Sequence, residues 1–137
     1  MTDKPKAKKQ KSYFTDKELQ CQYTKKDGMN KDFVKLLNKI REEAGFPFIV
    51  TSAYRDPMHP IERRKHGGAG AHSTGKAVDV LCKGEDALKL ISVAMNNGIT
   101  RIGVQQKGSN RFIHIDACTA DDFPDKENFA EVAIWSY

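Results

Sequence analysis

Two short stretches of the chain carry residue types that could do chemistry together. "GAHSTGKAVDV", residues 70–80, sets His72 and Asp79 on either side of Gly75, and "RFIHIDAC", residues 111–118, sets His114 and Asp116 at alternate positions. Neutral imidazole nitrogens and a carboxylate oxygen all bind zinc at about 2 Å, and a set of three protein ligands leaves a fourth position for water, as in catalytic sites. A structural zinc site is normally closed by a fourth residue, often a thiolate. Taken singly, His72 reads as a solvated loop residue, Asp79 as a turn-facing acid and His114 as a core histidine with its hydrogen bonds met. Brought together on converging elements, the three point to a metal.

Strand periodicity offers a way to bring them together. Side chains alternate along a strand, so in "KAVDVLC" Ala77, Asp79 and Leu81 share one face while Val78, Val80 and Cys82 share the other. In "RFIHIDAC" the same rule groups Phe112, His114 and Asp116 opposite Ile113 and Ile115. If these strands pair, Asp79 meets His114 on a polar face and His72 reaches in from the loop before it. Cys82 and Cys118 fall on the opposite face or at a strand end, so closure by sulfur is not expected. His59 and His66 have no spacing partner and read as loop residues.

The elements that must position these residues are legible from capping and period. Thr15 with Glu18 is a capping-box pair for a short helix, and Asn30 caps a longer one through "KDFVKLLNKIREEAG". Phe33, Leu36, Leu37, Ile40 and Ala44 share its buried face, and Gly45 and Pro47 end it. "FPFIVTSAYR" reads as a strand. Residues 56–76 then form a long loop, of the kind that is functional or disordered. "GEDALKLISVAMNNG" is helical by period, "ITRIGVQQ" and "RFIHIDAC" form a hairpin turning at "KGSN", and "FAEVAIWSY" supplies an edge strand. The sum is an α+β domain, with helices packed on one side of a small, mostly antiparallel sheet.

Composition bounds the remaining choices. A chain of 137 residues, 39% hydrophobic and 30% charged, suits one domain around one core. No apolar run approaches the ~20 residues of a membrane span, and the basic start "MTDKPKAKKQK" has no apolar segment after it, so a soluble protein without a signal peptide is expected. Three cysteines without CxxC spacing read as reduced thiols. The net charge of +5 is uneven: Lys4, Lys6, Lys8, Lys9 and Lys11 fall together with no acid among residues 4–11. Residues 1–12 are therefore expected to be a basic flexible tail and residues 13–137 the domain. Such a tail attracts nucleic acid or an anionic cell envelope, or merely solvates. The rest of the chain lacks the motifs of a nucleic-acid module, so no specific nucleic acid is expected.

"TSAYR", "HSTGKAVD" and "FIHID", in this order, resemble the zinc peptidases of the M15 family, the D-alanyl-D-alanine carboxypeptidase-like enzymes, in the branch with murein endopeptidases and phage endolysins. The pattern H-x-x-G-x-A-x-D is met at His72, Gly75, Ala77 and Asp79, and the resemblance runs from Phe14 through the closing "IWSY". It implies a hedgehog/DD-peptidase-like fold and one zinc ion (Zn2+) held by His72, Asp79 and His114. It also implies a catalytic and substrate-binding role for Arg55, whose guanidinium suits a peptide carboxylate or an oxyanion. The implied activity is zinc-dependent hydrolysis of amide bonds in peptidoglycan stem peptides or cross-links. The implied setting is phage lysis or a virion, with the enzyme in the host cytoplasm before release to the cell wall, and a monomer is expected. A lysine-rich tail would suit that anionic wall.

One departure stands out. Some branches of the family carry Glu three residues before the last zinc histidine, where this chain has Arg111. The general base is thus unassigned by motif. Asp116, ~7 Å along the strand from His114, suits either the transfer of a water proton or the orientation of a zinc ligand. Glu131 is a weaker alternative. The missing Glu also supports a different reading, a non-catalytic zinc-binding interaction module on the same fold, as in the hedgehog signalling domain.

Overall fold

A computed structural model describes residues 12–137; the lysine-rich stretch at 4–11, read above as a tail, lies outside the described residues. Five strands form one sheet in the order β1-β2-β4-β3-β5. These are β1 (Ile49–Ser52), β2 (Ala77–Leu81), β3 (Arg101–Gln105), β4 (Phe112–Asp116) and β5 (Ala133–Ser136). Every pairing is antiparallel except that of β5 with β3. The helices are α1 (Asp16–Leu19), α2 (Lys31–Ala44), α3 (Pro60–Arg63) and α4 (Gly84–Asn96), with 3-10 turns at Ala71–Thr74 and Ala120–Asp122. The α+β class read from the sequence is the observed one.

Local chemistry explains where the helices begin and end. Thr15 and Glu18 cap α1 reciprocally, the Thr15 hydroxyl accepting from the Glu18 amide at 3.1 Å and the Glu18 carboxylate from the Thr15 amide at 2.9 Å. Asn30 accepts from the Phe33 amide at 2.9 Å to start α2, and Gly45 ends it at φ 76°, a conformation open to glycine at little cost. Phe33, Leu37 and Ile40 of α2 and Ala87, Leu90 and Ala94 of α4 bury themselves with Val78, Val80, Ile113 and Ile115 of the two central strands. Each large aliphatic side chain removed from water there contributes about 1.5–3 kcal/mol.

That core uses one face of β2 and β4, which leaves the alternate residues on the other. The register sets Asp79 opposite His114 and Ala77 opposite Asp116. On the far side of β4, His114 is opposite Gly103 of β3, and Gly103 is opposite Trp135 of β5. With no side chain on Gly103, the indole lies across β3; a Cβ there would come within 2.6 Å of Trp135 Nε1. The Trp135 ring thereby reaches the His114 ring, with centroids 5.2 Å apart.

Two expectations change in detail. The strand read in "FPFIVTSAYR" covers only Ile49–Ser52, with a register irregularity between Val50 and Ser52, so Arg55 lies beyond the strand rather than at its end. The backbone there turns to other partners, Tyr54 N donating to Leu19 O at 3.1 Å and Arg55 N to His72 O at 3.2 Å. The long loop at 56–76 is also not featureless, because it contains α3 and the 3-10 turn that carries His72. Among the described residues no helix is long and apolar enough to cross a membrane.

Candidate metal centre

His72 stands on a 3-10 turn that Gly75 closes at φ 77°. A side chain at Gly75 would also run into the carbonyl oxygen of Gly28, so two constraints at once require glycine there. The His72 Nδ1 lies 2.7 Å from the Ala53 carbonyl oxygen. A carbonyl only accepts, so Nδ1 carries the proton and the lone pair of the neutral ring is on Nε2. That Nε2 faces Asp79 Oδ1 at 3.3 Å. From the adjacent strand, His114 directs Nδ1 to the same oxygen at 2.9 Å. The two imidazoles meet edge to face, with ring centroids 5.1 Å apart.

Ligand atoms of His72, Asp79 and His114 all lie within 4.8 Å of one another, and all three residues are buried. Two ring nitrogens and a carboxylate oxygen converging on one point, with the outer nitrogen of each ring held by an acceptor, is a donor set that fits a metal ion. The outer nitrogen of His114 is Nε2, 2.7 Å from Asp116 Oδ2. Asp116 is fully buried, and its other oxygen accepts from Arg101 Nε at 2.7 Å and from the Cys118 amide at 3.1 Å.

The charges reinforce one another. Burial works against an ionised Asp79, but hydrogen bonds from His114 and His72 hold its pKa well below the usual carboxylate range. Burial likewise opposes the charged ring of His114, and its bonds to Asp116 and Asp79 outweigh that and raise its pKa. Asp116 is lowered against burial by His114, by the Cys118 amide and by the Arg101 charge. Among the thiols, burial pushes Cys118 up to about 12 and Cys82 up to about 11, so both stay protonated at neutral pH.

Arg55 is tied to the His72 turn through both main chain and side chain. Besides the Arg55 N to His72 O bond, Ser73 Oγ donates to Arg55 O at 2.5 Å. Its guanidinium donates from Nε and Nη2 to Ser52 Oγ at 3.3 and 3.0 Å, and from Nη1 to Glu62 Oε2 at 3.0 Å. Sequence reasoning missed Glu62; its only signal was a lone acid inside the basic run "IERRK". Arg101 and Trp135, which flank Asp116 and His114, had no signal of spacing at all.

The other sequence candidates lie elsewhere. His59 caps α3, its Nδ1 accepting from the Ile61 amide at 3.1 Å, and its ring packs on Tyr23. His66 is exposed. Arg111 donates to the Gly108 carbonyl at 2.9 Å, and the exposed Glu131 accepts from the Ala120 amide at 2.7 Å.

Residues 12–116, which include the converging histidines, the aspartates and Arg55, match the family described as Peptidase M15. No curated protein matches the chain.

Proposed function

We propose, because the chain belongs to the M15 peptidase family, that it is a zinc-dependent enzyme hydrolysing amide bonds in peptidoglycan stem peptides or cross-links, in a phage lysis or virion-associated role. The observation that carries the zinc reading is the convergence of His72 Nε2, Asp79 Oδ1 and His114 Nδ1, each histidine locked by an acceptor on its other nitrogen. Zinc held by these three would polarise the scissile carbonyl and lower the pKa of an attacking water.

The remaining steps belong to the chain's own residues. The Ala53 carbonyl keeps the His72 proton on Nδ1, and Asp116 keeps one on His114 Nε2, so both rings present the correct nitrogen without rearrangement. This geometry supports orientation, rather than proton transfer to substrate, as the task of Asp116: it bonds the ring edge away from Asp79, and its second oxygen is taken by Arg101 and Cys118. A guanidinium has five N–H donors. The contacts of Arg55 with Ser52 and Glu62 use three of them, leaving two for a substrate carboxylate or a developing oxyanion.

The test is digestion of purified peptidoglycan by zinc-loaded and chelator-treated protein, with released fragments identified by mass spectrometry and metal content measured in parallel. New peptide termini that require zinc support the reading. Stoichiometric zinc with intact peptidoglycan and intact stem peptides would instead favour the non-catalytic module.

A further inference from the structure

We infer that Glu62 is a positioning residue, whose buried carboxylate holds the Arg55 guanidinium and the backbone entering the His72 turn in a single arrangement; the inference rests on the proposed substrate role of Arg55. The Glu62 side chain is wholly shielded from solvent. A carboxylate in that position is costly unless it is paired and fully hydrogen-bonded. Its partners come from three separate places in the chain. Oε2 takes Arg55 Nη1 at 3.0 Å from beyond β1, and both oxygens take Lys65 Nζ at 3.0 and 3.1 Å from just after α3. Oε1 takes the Gly70 amide at 2.7 Å, at the entry to the turn that carries His72.

The effect on Arg55 is specific. Ser52 grips one edge of the guanidinium and Glu62 the opposite nitrogen, so the plane of the group is held from two sides. Lys65, with a side chain 38% exposed, neutralises the carboxylate from the solvent side, while Arg55, at 16%, is the inner partner. The Gly70 bond adds something that an ion pair made for stability would not need. It ties the carboxylate that holds Arg55 to the backbone two residues before His72, and Arg55 N to His72 O closes the loop from the other direction. At Gly70 a Cβ would lie 2.7 Å from Lys65 Nζ, the free end of a flexible side chain, and in ordinary contact with Glu62 Oε1 at 3.7 Å, so the cluster packs directly against the backbone here. Burial works against the Glu62 charge, and the Gly70 amide, Lys65 and Arg55 together keep its pKa below the ordinary value.

The test is a double-mutant cycle of Glu62→Gln and Arg55→Ala, with kcat and KM measured on a synthetic stem peptide and zinc affinity by titration. Glutamine keeps the size and one acceptor but not the charge. The expected result for Glu62→Gln is unchanged zinc affinity, a kcat/KM lower by about 10- to 100-fold, and no further loss when it is added to Arg55→Ala. If Glu62→Gln does not fold, Glu62→Asp carries the same cycle, since it keeps the charge and withdraws it by one methylene. Additive losses, or zinc affinity falling in step with activity, would overturn the inference while leaving the role of Arg55 intact. Wild-type kcat/KM in Arg55→Ala would overturn that role and the inference with it, and a stem peptide left uncut by the unmodified protein would overturn the peptidase reading on which both depend.

Discussion

Asp116 touches the edge of the His114 ring that faces away from Asp79, and that single contact separates two tasks a carboxylate could have here. If it orients the ligand, Asp116→Asn is expected to weaken zinc affinity by about 10- to 100-fold, with hydrolysis recovering when zinc is supplied in excess. A loss of turnover of about 10² or more with zinc still tightly bound would instead make it the base. Zinc titration combined with turnover at saturating metal distinguishes these outcomes. Glu62 allows a second prediction at this scale, for pH. Its folded pKa lies below its unfolded value, so its ionised form contributes stability that is complete above pH ~4.3 and is lost as pH falls through the folded value. The stability gap between the wild type and Glu62→Gln, read from urea denaturation, should therefore be widest near neutrality and shrink on acidification. A gap independent of pH would show that the charge is not what matters.

At the scale of elements, the site depends on how a turn meets a strand. Gly75 joins the turn bearing His72 to the strand bearing Asp79, and it combines positive φ with a backbone oxygen where a Cβ would go. Gly45 shares the positive φ, at 76°, but has nothing within 4 Å. Gly45→Ala should cost only the ~1–2 kcal/mol of the left-handed conformation. Gly75→Ala should cost more and should also weaken zinc binding, because the Gly28 backbone cannot yield without moving the turn. Equal losses for the two variants in urea denaturation would contradict this. The H-x-x-G spacing was visible in the sequence, but its reason was not, since the neighbour that excludes a side chain is 47 positions earlier in the chain.

At the scale of the whole molecule, charge is divided unevenly. Residues 1–11 carry four of the chain's five net positive charges, so the remainder is close to neutral. Deleting them is expected to leave zinc content and thermal stability unchanged while weakening association with purified cell walls, most clearly at low salt, where attraction is least screened. Sedimentation of full-length and truncated protein with walls across a salt series measures this. Loss of the folded state on deletion would show that the segment packs on the domain.

What the amino-acid sequence determined by itself is what depends on period and on local caps. Alternation in "KAVDVLC" and "RFIHIDAC" put Asp79 and His114 on one face, and the observed register sets them opposite each other. The caps at Thr15 and Asn30 are likewise local, because the donors they satisfy lie three residues away. The tertiary structure alone decided who completes the site. The Ala53 carbonyl that sets the His72 tautomer is backbone, which every residue possesses and no spacing betrays. Glu62 meets Arg55 only because the segment between them folds into a helix and a turn, and Trp135 meets His114 only because β5 pairs with β3 across a glycine. Side-chain period is a property of one element, whereas these partnerships arise from elements brought together by packing of the core beneath them.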